Sequence, residues 1–493
     1  MQLKRFFTNK KLILYVSLFA ISFLVLAFAS ECSFIYPFNA WVDVNCFFTV
    51  AKAMVKGKTL YVDIYEQKGP YVYFLHVICY LISPNSFLGV FFVEVILAFI
   101  SCCIIVKIIK LYGITSIRKQ ILSCLIYSLT VYFSRSFAQG DSVEELVNPI
   151  FLFTVYLALK DERKKLDFFL IGLIAGIVFW VKYSLVGIFI GYYAFKLIFI
   201  FKGKNYKEIA YSIPLILLGV LVATIIPLIY FVSANSVSVL FKAYILDNLK
   251  YQSEYNIFKK FLLSIWYTVK SLFQNYAYTV PILATVLLIA FKYRDKYFKE
   301  FLFITIGFCC SAFLIFIGGR HYVYYGLPLN VYSVFFLVLS FKEDFKINRT
   351  KVFALASGIT VLFSCVLTIF FSGQIYFMFR KKETLVQYKF AQIITEQENA
   401  TLLNYAFLDG GFYFFTDYLP QNKYFCTINN HLDEMDAEHD EMLKNKAVDY
   451  VIIRTDKLKE LDLSKYDYHE IARESQRFNH RTVILYVLYQ KNP

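Results

Sequence analysis

The apolar residues of this chain gather into long runs separated by short basic loops, and that arrangement limits the fold more than any motif does. A run of roughly 18 such residues crosses the ~30 Å hydrocarbon core of a bilayer as a helix. Helical geometry is required there because lipid offers no partner to an unpaired peptide group. We read spans at 12–30, 86–109, 120–136, 143–159, 167–182, 184–201, 209–232, 276–291, 299–317, 322–341 and 352–372. The stretch 71–83 is apolar but short. Treated as a span, it would put Lys107, Lys110, Arg118 and Lys119 outside. Treated as an interfacial helix, it leaves the basic loops 107–119, 160–165, 202–207, 292–299 and 342–351 on one face, as the positive-inside rule asks. The expectation is a polytopic α-helical membrane protein of about eleven transmembrane helices, amino terminus in the cytoplasm.

Composition agrees. With 58% hydrophobic and 20% aromatic residues among 493, the chain is too apolar for a soluble protein of its length. The formal charge of +15 sits mostly between spans and does not point to nucleic acid. Lys4, Arg5, Lys10 and Lys11 precede an apolar run that exceeds a usual signal core, so we read a retained first helix. The ten cysteines lack metal-ligand spacing, and only Cys32 and Cys46 are placed to pair in an outer loop.

After residue 372 the apolar runs shorten and charge rises. Strand patterns at 405–408, 424–427, 448–454 and 482–489 alternate with helical ones at 382–399 and 432–445. We therefore divide the chain into a membrane domain, 1–372, and a small α/β domain, 373–493, on the outer face. The membrane domain carries a first outer loop, 31–83, and a long basic amphipathic one, 233–275, that reads equally as a lid over a bound lipid or as an inert interfacial helix.

The polar residues that composition does not explain fall on that outer face. Asp43 follows the first span at headgroup level, where a carboxylate either caps the short amphipathic helix 45–54 or serves as a base. Gly57 stops that helix, and Asp63, Glu66 and Lys68 lead to the Gly69–Pro70 turn. Asp63 reads equally as a second acid or as a loop-fixing ion pair. Asp141, Glu144 and Glu145 open the fourth span, where carboxylates suit a helix N-terminus yet are costly without a partner. Lys182 closes the fifth span, and Arg320 and His321 form a cationic turn at the same depth. Cations at headgroup depth suit a lipid phosphate, and snorkelling is the plainer reading of Lys182. Glu94 lies within the second span, where it is expected to pair within the bundle or line the site.

Taken together these residues resemble the GT-C superfamily of membrane glycosyltransferases, in the branch of protein O-mannosyltransferases and the aminoarabinose transferase of lipid A. The resemblance rests on five elements in order over residues 1–372. They are Asp43; Gly57, Tyr61, Asp63, Lys68, Gly69 and Pro70; Glu144 and Glu145 with Pro149; Gly172, Gly176 and Lys182; and His321, Tyr322 and Pro328. Val44–Asn45 after Asp43 departs from the Asp–Glu pair of the eukaryotic enzymes.

The resemblance implies an inverting transferase in the cytoplasmic membrane. It would take sugar from a polyprenyl-phosphate donor to a glycan, lipid or protein acceptor at the outer face. Asp43 would be the catalytic base. Asp63, Asp141, Glu144 and Glu145 would form a second acidic or acceptor element, and Lys182, Arg320 and His321 would hold the donor phosphate. Lys68, Gly69 and Pro70 would shape the loop. A divalent metal is chemically optional, because the leaving lipid phosphate departs as an anion. Flippases of lipid-linked sugars and polysaccharide polymerases or ligases are the competing classes. The nearly charge-free span centres and the lack of an arginine-rich outer loop count against them.

Overall fold

The computed structural model describes residues 10–160, 164–342, 366, 377–430, 432–455, 463–478 and 483–492. The expected span at 352–372 lies outside these apart from Val366. The chain is a polytopic helical protein with a small carboxy-terminal sheet. Among the described residues six helices are long and apolar enough to cross a membrane: Lys10–Ala29, Leu88–Leu111, Tyr183–Lys202, Tyr206–Ser233, Phe298–Phe316 and Val323–Phe341. Shorter helices, Ile117–Tyr132, Asn148–Leu159, Lys165–Phe179 and Tyr276–Lys292, occupy the other expected spans. Ile257–Gln274 meets Tyr276–Lys292 at a bend of 107°.

Residue contacts divide the chain into two compact units. The first comprises Met1–Ser30, Phe92–Ile226 and Ser253–Phe370, and the second Glu31–Phe91, Pro227–Gln252 and Phe371–Pro493. In the first unit, glycines bring helix backbones together. A Cβ on Gly172 would strike the backbone of Ile216, and one on Gly219 that of Phe169. Small residues are the usual means of close helix approach where lipid removes the hydrophobic drive. Val323–Ser333 is an eleven-residue 3₁₀ helix containing Pro328, although such runs seldom exceed four residues. Buried Asn330 braces it, donating to Asn148 Oδ1 at 3.0 Å and accepting from the Tyr127 hydroxyl at 2.5 Å.

The second unit is built on the Val42–Val55 helix, which begins before the expected 45–54 and includes Asp43 in its first turn. It is buried on nearly every side, so it is a core helix and not a surface-amphipathic one. Gly57, with φ +93°, ends it; Gly57 N donates to Met54 O and Lys58 N to Ala53 O, closing a Schellman motif. Pro70 opens the Pro70–Ile82 helix at a position where its missing N–H costs nothing.

The sheet has the order β1-β2-β4-β3, with β1 Leu402–Tyr405, β2 Tyr450–Arg454, β3 Tyr468–Arg477 and β4 Val483–Lys491. β1 and β2 are parallel and the other pairs antiparallel. Central β2, Tyr-Val-Ile-Ile-Arg, packs with Met442, Leu443, Val448 and Leu463. Helices Val386–Ile394 and Asp433–Lys444 match the expected ones. Three strand assignments differ. The strand expected at 405–408 lies three residues earlier, at Leu402–Tyr405, and meets the expected range only at Tyr405. The stretch 424–427 supplies only a bridge between Cys426 and Asn404, while the polar stretch that forms β3 carries no apolar alternation to announce it.

Candidate active site

In the second unit, Asp43 sits in the first turn of its helix with its side chain only 9% exposed. Its Oδ2 lies 3.7 Å from Lys68 Nζ. A helix N-terminus favours an anion there without a capping bond. Lys68 is shared with Glu66 Oε1 at 3.4 Å, and its ammonium stands 5.4 Å from the Phe47 ring. Glu66 also accepts from Lys68 N at 3.0 Å and from the Tyr73 hydroxyl. The Tyr61 hydroxyl binds Lys68 O, and Tyr61 stacks on Phe231. Next door, Asn248 Nδ2 donates to Gln67 O at 2.8 Å, and the Tyr65 hydroxyl reaches Asp247 Oδ2 at 3.2 Å. The backbone on both sides of Lys68 is thereby fixed, and Gly69 and Pro70 turn it directly into the next helix.

Asp63 is placed elsewhere in this loop. It is exposed, and its carboxylate accepts from Thr59 N at 2.7 Å as a local turn cap. Glu66, two residues before Lys68, shares that ammonium with Asp43, a role that spacing alone did not single out.

The first unit brings together Glu144 and Lys182. Lys182 Nζ donates to Glu144 Oε1 at 2.5 Å and lies 3.7 Å from the Tyr325 ring centre, with Tyr324 at 6.0 Å. Glu144 is 1% exposed, and its Oε2 has no hydrogen-bond partner. Tyr322, Tyr324 and Tyr325 pack ring against ring, so the cationic turn hands on to an aromatic cradle for Lys182. His321 stacks on Phe316 and leans on Tyr267. Burial, and then the charge of Lys270, hold its imidazole below the usual range, so it offers hydrogen bonds more than charge. Arg320 is half-buried on the same turn, where Gly319 takes φ +73° against Ser253.

Asp141 and Glu145 form a separate group with Glu94. Asp141 N, on a residue with φ +58°, donates to Glu94 Oε1 and Glu145 Oε2, each at 2.8 Å. Ser30 Oγ donates to Glu94 Oε2 at 2.6 Å. Ser142 caps the short helix by accepting from Glu145 N. Glu94 is thus fastened to the turn before the fourth expected span. The expected pairing of Cys32 with Cys46 does not form: Cys32 accepts from Asn39, and Cys46 faces Cys426 at 3.9 Å. Among the described residues no three His, Cys, Asp or Glu side chains are grouped to hold a metal ion.

The fold is of the GT-C type. It matches the crystal structure of ArnT from Cupriavidus metallidurans bound to undecaprenyl phosphate with a TM-score of 0.58, covering 98% of each chain at 9% identity. The apo state of the same protein matches at 0.57 over 97% of each chain, also at 9% identity. Residues 67–231 match the family described as dolichyl-phosphate-mannose-protein mannosyltransferase. That segment contains Lys68, Gly69, Pro70, Asp141, Glu144, Glu145 and Lys182; Asp43, Asp63, Arg320 and His321 lie outside it. None of the curated proteins matches the sequence.

Proposed function

We propose that this protein transfers a sugar from a polyprenyl-phosphate donor to a hydroxyl of a cell-envelope glycan, lipid or protein. Transfer takes place at the outer face of the cytoplasmic membrane, with the amino terminus inside and residues 373–493 outside. The observation that carries this reading is Asp43, a nearly buried carboxylate in a helix first turn, set against Lys68 within a GT-C fold. The mannosyltransferase-family match beginning at residue 67 supports the same class, and the ArnT complex supports a polyprenyl phosphate as the lipid.

Asp43 accepts the proton of the acceptor hydroxyl. The hydroxyl oxygen bonds to the anomeric carbon from the face opposite the phosphate, the bond from that carbon to the phosphate oxygen breaks, and the configuration inverts. The lipid phosphate leaves with the electron pair and needs no proton. Lys68 and Glu66 orient Asp43, while Lys182 and Arg320 receive the phosphate charge and His321 donates a hydrogen bond to it. Charge developing on the leaving phosphate is where fixed cations lower a barrier most.

The test is transfer from radiolabelled polyprenyl-phosphate sugars in membranes carrying Asp43→Asn, with protein level and donor binding measured alongside. Loss of transfer with binding kept is expected. Unimpaired transfer removes Asp43 from the role of base. Absence of transfer by the unaltered protein, across donors and acceptors, together with flipping of lipid-linked sugar, overturns the transferase reading.

A further inference from the structure

The helix that carries Asp43 is held from its other side by the carboxy-terminal domain. On a 3.6-residue helix, Thr49 lies roughly a third of a turn round from Asp43, and Cys46 and Lys52 flank it. Thr49 Oγ1 donates to Asp409 Oδ2 at 2.7 Å. Asp409 is fully buried, and its other oxygen accepts from Asn404 Nδ2 at 3.1 Å and Gly411 N at 2.9 Å. Asp409 N lies 3.4 Å from Cys46 Sγ. One turn on, Lys52 Nζ donates to Tyr413 O at 2.9 Å and pairs with Asp417 at 3.3 Å.

Gly411 adopts φ +91°, and a Cβ there would press on the side chains of Phe38 and Asn45, so the loop packs closely on the start of the helix. Phe414 then packs on Phe48 and Phe87. A carboxylate buried this deeply persists only with such bonds. Every one of them serves to connect the 409–417 segment, its strand β1 neighbour Asn404 and the Val42–Val55 helix.

We propose that the 409–417 segment is a positioning element for the reaction: through Asp409 and Thr49 it fixes the rotation and height of the helix that presents Asp43 to Lys68. This rests on Asp43 being the base. It gives the carboxy-terminal domain a part in turnover that does not depend on that domain touching substrate. Asp409 and Thr49 act through Asp43 and are positioning residues. A displacement of about 1 Å at a reacting group costs up to ~100-fold in rate.

The test uses the full-length protein with Thr49→Val, Thr49→Ser and Asp409→Asn. Valine keeps the shape and removes the donor; serine restores it. Sugar transfer is resolved into kcat and donor KM, and hydrogen exchange of the amides in residues 42–55 is followed by mass spectrometry. For Thr49→Val and Asp409→Asn we expect kcat to fall roughly 10- to 100-fold, with KM for the donor unchanged and faster exchange confined to that helix. Thr49→Ser should restore both.

Retained kcat in both Thr49→Val and Asp409→Asn overturns the proposal. So does a fall in kcat with unaltered exchange, or one that serine does not rescue. If the unaltered protein transfers no sugar, the functional reading fails on its own terms. The exchange comparison then decides separately whether the segment holds the helix, and unaltered exchange in the variants overturns that hold.

Discussion

Lys182 and Glu144 form an ion pair of 2.5 Å in which the carboxylate is 1% and the lysine side chain 16% exposed. Each partner lies at a place that sequence alone reads as a helix end, and together they leave one carboxylate oxygen unpartnered. A buried pair is weak evidence of stability, yet breaking it from one side is costly because a charge is stranded.

Replacing Lys182 with methionine is expected to strand Glu144 and cost about 3–5 kcal/mol. Glu144→Gln should cost less, since the lysine keeps the Tyr325 ring and a path to solvent. The pair Glu144→Gln with Lys182→Met should recover much of the loss. Thermal unfolding of the four proteins in one detergent completes the double-mutant cycle.

Asp43→Asn is expected to lower kcat by about 10²- to 10⁴-fold, the usual worth of a general base. Donor affinity should stay unchanged, and the two are separated by filter binding alongside transfer kinetics. Asp63→Asn should change transfer far less, because that side chain is exposed and caps its own turn at Thr59.

Glu31 gives the fold a pH dependence. It is buried in the segment after the first helix, accepting from Ala40 N at 3.1 Å, and burial pushes its carboxyl from 4.5 to about 8. Between those values the folded protein keeps a proton that the unfolded chain has released. This contribution is complete below pH 4.5 and is lost as pH rises to about 8, with a slope of about 1.4 kcal/mol per pH unit. Glu31→Gln should flatten that decline, read as Tm against pH from 5 to 9 for both proteins.

Gly140→Ala is expected to destabilise the first unit by about 1–3 kcal/mol. The residue has φ +88°, and a Cβ would stand 2.5 Å from Glu94 Oε1 and 2.6 Å from Ser30 Oγ. Chemical denaturation should show the loss, and Ser30→Gly introduced with it should return part, since one of the two clashes is gone.

What could be read in the sequence follows from physics that is local. Spans declare themselves by apolar length, Gly57 by the turn it closes, and Gly69–Pro70 by where a helix accepts proline. The aspartate after the first span was legible for the same reason: nothing apolar explained it. The choice of Glu66 over Asp63 as the acid that shares Lys68 with Asp43 was not, because Tyr73 of the next helix holds Glu66 while Asn248 and Asp247, far along the chain, hold its neighbours. Nothing local marks Tyr324 and Tyr325, inside the expected span 322–341, as the rings against which Lys182 lies. Asp409 carries no local signal, since its partners Thr49 and Cys46 come from the opposite end of the sequence. β3 escaped because an edge strand with one open side need not alternate.

That strand has a consequence for life in a crowded membrane. β3 forms one rim of the sheet, and its exposed positions carry His469, Glu470, Arg473 and Arg477, with Arg473 and Glu470 clasped at 2.7 Å. A foreign strand seeking that open row of peptide groups would have to desolvate fixed charges of both signs. That rim of the sheet is therefore a poor template for a strand of a neighbouring molecule.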